Sequence, residues 1–162
     1  MELKVGDVVY LKSNPKNLMT VSYITKTSEF IGFGKKSHKK KFHDIGYSDD
    51  DLIVYCTWFD DVKFTGNFFK EKILTIESPG NPPPLFEVGD IVYLKSNPEM
   101  LMTVTSVFNK TEAVRLILSM NRTEEMWKIG FTDNDVILCE GFSNNAQIII
   151  DYFISQVLAK KS

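Results

Sequence analysis

Apolar and polar positions alternate with a period of two along much of this chain, which is the pattern of half-buried β-strands. In residues 8–12, Val9 and Leu11 share one face, while Val8, Tyr10 and Lys12 share the other. Lys12 belongs in water, so Val9 and Leu11 are expected inward and Tyr10 on an outer face. Residues 19–24 carry the β-branched and aromatic content of a second strand. Residues 29–34 and 42–47 read as the arms of a hairpin with a polar tip at 35–41. Ser48-Asp49-Asp50-Asp51 then reads as turn chemistry before an apolar strand at 52–59, and another strand follows at 63–69.

The same text then begins again. Val5 to Val21 recurs 83 residues later as Val88 to Val104, with 14 of 17 positions identical. A repeat of this length and spacing predicts two copies of one small fold, in residues 1–78 and 86–162. Gly6-Asp7 and Gly89-Asp90 are turns feeding the opening strands, and Ser13-Asn14-Pro15 and Ser96-Asn97-Pro98 are turns closing them. In the second copy, residues 113–119 are expected to pair with 125–131 across a tip at 120–124. Residues 145–160 alone would suit a helix, but their counterpart at 62–69 reads as a strand. The repeat therefore favours a strand through Tyr152 and a helical turn at 155–158. The expected fold is all-β, each copy carrying an inserted hairpin and a short C-terminal helical turn. Between the copies, residues 79–85 include three successive prolines, Pro82, Pro83 and Pro84. They predict an extended spacer that holds the copies apart or at a defined angle.

Composition adds limits. The chain is 43% hydrophobic and 25% charged, as expected of a soluble globular protein, and no apolar run reaches the length of a membrane span. The first motif starts almost at Met1 without a signal-peptide apolar region, so a cytoplasmic location away from membranes is expected. Net charge is −2, which by itself predicts neither nucleic acid nor an anionic surface as partner. Residues 1–79 carry +1 and residues 86–162 carry −3. Cys56 and Cys139 occupy matched positions in the two copies, so they are expected to be buried thiols and not a disulfide pair.

The residues Gly6-Asp7-Val8-Val9-Tyr10-Leu11-Lys12-Ser13, Met19-Thr20-Val21, Cys56-Thr57-Trp58-Phe59, Phe69 and Leu74 give the first copy a wider likeness. The second copy matches through residues 89–96, Met102-Thr103-Val104, Cys139 and Phe142. This pattern resembles the YodC-like family of small bacterial proteins. The resemblance implies a small SH3-like β-barrel in each copy, and it implies no activity. The chain departs from the family pattern in three places. Asn14-Pro15 stands where a Gly-rich turn is usual, the middle segments look like insertions, and Gly141 replaces the tryptophan in the second copy.

Several constellations bear on function. Tyr10 and Tyr93 are outward aromatics at matched positions, able either to pack beneath neighbouring structure or to offer a peptide-binding face. Trp58 could join that surface, although alternation places it on the side of Cys56, half-buried or in the core. Lys35, Lys36, Lys39, Lys40 and Lys41 surround His38 in one tip, a basic cluster suited either to solvent or to phosphates. The second copy carries no such tip. Asp49-Asp50-Asp51 and Asp133-Asn134-Asp135 lack the spacing of a calcium loop. His38 and His43 have no neighbouring cysteine, so no metal or cofactor is expected. No nucleophile elbow, phosphate loop or zinc-protease motif occurs. The expected function is a non-enzymatic interaction module that binds protein or peptide through the strand faces of Tyr10 and Tyr93. Nucleic-acid binding through residues 35–41 is the alternative. A cysteine-dependent enzyme, needing His38 or His43 to reach Cys56, is a distant third.

Overall fold

The computed structural model describes residues 2–30, 46–61, 63–119, 135–142 and 146–161. They are mostly β-structure, arranged as two five-stranded antiparallel sheets. The first contains β1 (Val8–Leu11), β2 (Asn14–Lys26), β3 (Leu52–Asp60), β4 (Lys63–Lys70) and β5 (Leu74–Ser78), in the order β4-β3-β2-β1-β5. The second contains β6 (Ile91–Leu94), β7 (Asn97–Phe108), β8 (Val136–Phe142), β9 (Ile148–Ile154) and β10 (Leu158–Lys160), in the order β9-β8-β7-β6-β10. Among the described residues the outermost strands of each sheet share no ladder, so neither sheet closes into a barrel. A 3-10 turn joins the last two strands of each, at Glu71–Ile73 and Ser155–Val157, where the helical turns were expected.

The duplicated sequence builds duplicated backbone. Gly6 and Gly89 adopt φ of +92° and +95°, a conformation that costs a side-chain-bearing residue. Each donates its N–H to a valine carbonyl on the next strand at 2.8 Å, Val21 and Val104 respectively. The Asp7 carboxylate accepts the Lys4 N–H, and that of Asp90 accepts the Glu87 N–H, both at 2.8 Å. Register breaks between Val21 and Tyr23 recur between Val104 and Ser106. Alternation therefore gives each sheet an inner face, which carries Val9, Val21, Val54 and Cys56, or Val92, Val104, Ile137 and Cys139.

Two local expectations are corrected. Asn14 and Pro15, read as a turn, lie within β2, and the turn is Lys12-Ser13. Tyr10 pairs with Leu18 but Leu11 with Asn14, so the ladder skips residues 15–17 and never needs an N–H from Pro15. Residues 113–119, read as a hairpin arm, belong to helix α2 (Lys110–Ser119). Its start is a reciprocal cap: Glu112 N–H donates to Asn109 Oδ1 at 3.0 Å, and Asn109 N–H donates to Glu112 Oε2 at 3.1 Å. In the first copy, residues 29 and 30 likewise end a helical turn, α1 (Thr27–Phe30). The rest of both expected hairpins, with the tips at 35–41 and 120–124, lies outside the described residues.

The two copies are in direct contact. Phe64, from β4, belongs to the core of the second sheet, and its ring centroid lies 4.6 Å from that of Phe153. Phe59 stands 6.2 Å from the same ring. Ser96 N–H donates to Thr20 Oγ1 at 3.1 Å, and Gly80 N–H in the spacer donates to Asp7 Oδ1 at 2.6 Å. The spacer is therefore fastened to the first copy, and Lys95 holds it from the second through Asn81 O at 3.1 Å.

Candidate functional site

The outer faces of the two sheets are built from matched positions and meet different fates. In the first sheet, Val8 pairs with Thr20, Thr20 with Thr57, and Thr57 with Gly66, and one step along Phe59 pairs with Phe64. This row lies beneath the second copy. Val8, Thr20, Ser22 and Thr57 are buried, and Phe64 is 4% exposed. Its hydroxyls satisfy one another: Ser22 Oγ and Thr57 Oγ1 are 2.7 Å apart, and Thr57 Oγ1 donates to the Thr20 carbonyl at 3.4 Å. An outer face expected to meet water is thus an internal interface.

In the second sheet the same positions are Ile91, Thr103, Glu140 and Ile150, with Phe142 paired to Ile148. None of them is buried, and Thr103 alone is half-covered. Phe142 is 68% exposed, Ile148 67% and Ile150 59%, and Ile91 is exposed beside them. Ile91, Leu101, Thr103, Phe142 and Ile148 line a cleft of about 750 Å³, with Glu99, Glu140 and Lys161 among its polar groups. Cross-strand pairing fixes this arrangement, because partners on neighbouring antiparallel strands point the same way. Several large apolar side chains exposed together on one sheet face mark an interaction surface.

Tyr10 and Tyr93 lie on these outer faces, and both are half-buried. Tyr93 borders a small cleft of about 200 Å³ with Gly6, Val8, Pro79, Asn81 and Lys95, where the spacer and the first copy approach it. Burial there pushes the Lys95 ammonium below its ordinary pKa, and the Asp7 charge partly opposes this. Trp58 is on the opposite, inner face of the first sheet. It packs against the first core with its ring 6.3 Å from Phe69, so it does not join Tyr10 in one surface. The exposed side chains Phe142, Ile148 and Ile150 were missed as a site because alternation alone does not say which face is open. The sequence signal was the run Ile148-Ile149-Ile150, apolar on both faces where one face should be polar.

Lys35, Lys36, Lys39, Lys40 and Lys41, like His38 and His43, lie outside the described residues. Both cysteines are buried free thiols. Burial pushes the Cys139 thiol up to about 12, with Asp151 adding to the effect, and raises Cys56 further. A thiolate nucleophile is thus disfavoured at both positions. Asp51 does turn chemistry: its Oδ2 accepts the Ser48 N–H at 2.9 Å and pairs with Lys70 at 3.3 Å. Among the described residues no three His, Cys, Asp or Glu side chains converge as a metal site. Among them, too, no helix is long and apolar enough to cross a membrane.

No family model, no curated protein and no solved structure matches this chain.

Proposed function

We propose that this protein is a cytoplasmic, non-enzymatic interaction module that binds a protein partner through the outer face of its second sheet. The observation that carries this reading is the exposure of Phe142, Ile148 and Ile150 on one face, beside Ile91. An exposed, largely apolar sheet face with few charged groups fits a polypeptide surface better than a small polar metabolite. Tyr93 lies on this same face at its spacer end, half-buried, where it borders the binding surface proposed here. Each copy is best read as a partly open SH3-like barrel of the YodC-like type. The support is the five-strand meander, the 3-10 turn before the last strand, and the return of that strand to the first.

The test is a photo-crosslinking amino acid placed at Ile150 in the full chain. A crosslinked polypeptide is expected, and it should disappear when Phe142→Lys and Ile148→Lys are added. A probe that captures no polypeptide, or captures one equally well in the substituted chain, overturns the reading.

A further inference from the structure

We infer that the partner for the open face is a second copy of this chain, docked head to tail by repeating the chain's own internal interface. This rests on the reading of that face as a protein-binding surface. The internal contact is heterologous: the outer face of the first copy covers the mouth of the second copy's core. Among the described residues two complementary surfaces therefore remain without a cover, one in each copy.

The first unused surface is the open face. Phe142 and Ile148 stand in the second sheet where Phe59 and Phe64 stand in the first. Gly89 gives the same contrast. A Cβ on Gly6 would meet the Gln156 carbonyl oxygen at 2.8 Å, whereas one on Gly89 would meet nothing within 4 Å.

The second unused surface is the mouth of the first core. Phe153, Val157 and Leu94 are fully buried where the first copy closes over the second. Their counterparts Phe69 and Leu11 are only half-buried, and Ile73 is 44% exposed. Leu3, Leu74 and Ile76 line a cleft of about 420 Å³ beside them. Trp58 supplies Phe69 with one ring from inside the copy, in the way that Phe59 and Phe64 serve Phe153 from outside. The contact between molecules is therefore shallower than the internal one, and reversible.

Charged groups of both signs border each surface. Lys12 and Lys72 border Ile73, with Lys12 N–H donating to the Ile73 carbonyl at 3.0 Å and Lys12 Nζ to the Lys72 carbonyl at 2.6 Å. The open face offers Glu99, Glu140 and Lys161, and the mouth of the first core offers Glu71 beside Lys72. A head-to-tail contact of this kind can extend from molecule to molecule until a ring closes.

Sedimentation velocity of the purified chain over a concentration series tests this. The expected result is mass above the monomer's 18.5 kDa that grows with concentration. Phe142→Lys with Ile148→Lys damages one surface, and Ile73→Glu damages the other. Each protein alone is expected to sediment as a folded monomer, with its fold checked by circular dichroism. Mixed, they are expected to form a 1:1 dimer and nothing larger, because one intact surface of each kind remains. Self-association that survives Ile73→Glu, as two open faces pairing with each other would give, overturns the inference. So does a wild-type chain that stays monomeric, or a mixture that does not associate. A monomeric chain that still crosslinks another polypeptide at Ile150 sinks this inference alone, whereas the absence of any crosslink sinks the reading beneath it.

Discussion

Phe64 and Phe153 come from different copies of the repeat, yet their rings lie 4.6 Å apart in one core, tilted at 54°. The two copies are therefore energetically coupled. Phe64→Ala is expected to destabilise the whole chain by about 3–5 kcal/mol, the usual cost of emptying a buried phenylalanine site. Ile148→Ala, at the matched but exposed position, is expected to change stability by no more than about 0.5 kcal/mol. Urea unfolding followed by fluorescence checks both. Comparable losses at the two sites would contradict the asymmetric interface.

Gly6 and Gly89 share a left-handed backbone but differ in surroundings. Gly89→Ala is expected to cost about 1–2 kcal/mol, from backbone conformation alone. Gly6→Ala carries the same strain and also drives a methyl group against the Gln156 carbonyl, so it should be clearly the more destabilising. Thermal unfolding of the two variants gives the ranking directly.

Asp90 lies below the ordinary aspartate pKa of 3.8, first because Lys160 donates a hydrogen bond to it and then because the Glu87 N–H does. Lys160 Nζ is 2.8 Å from Asp90 Oδ2. A depressed folded-state value means that the contribution is fully present above the unfolded pKa. It is lost as pH falls from there through the folded value. Denaturant midpoints measured between pH 6 and pH 2 should therefore fall less steeply in acid for Asp90→Asn than for the native chain. A native chain and variant with parallel profiles would show that the pair has no linkage to folding.

Cys56 and Cys139 are shielded by burial and held as thiols. A chromogenic disulfide reagent at pH 8 is expected to modify neither in the native protein and both after unfolding. Stoichiometric reaction in the folded state would reopen a nucleophilic role for the cysteines.

Local rules made a large part of the fold legible. The glycine turns, the alternation placing Val9 and Cys56 inward, and the terminal 3-10 turns all depend on neighbours within a few residues. The capping pair Asn109 and Glu112 is equally local, but Val114 and Ile117 after it carry strand propensity, so the segment reads as a strand although it is helical. Asn14-Pro15 misled for a similar reason, since a register skip accommodates a proline that normally ends pairing.

The proposed binding surface was less legible. Val8 and Ile91 are matched aliphatic positions on matched strands, and neither residue by itself says which of the two is covered. By itself the sequence determined the duplicated all-β plan, the inward residues of each sheet and the exclusion of recognisable catalytic motifs. Only the tertiary structure decided which outer face is covered and which is open. Burial there depends on a heterologous contact between segments far apart in the chain, so one set of repeated residues becomes interior and the other remains surface.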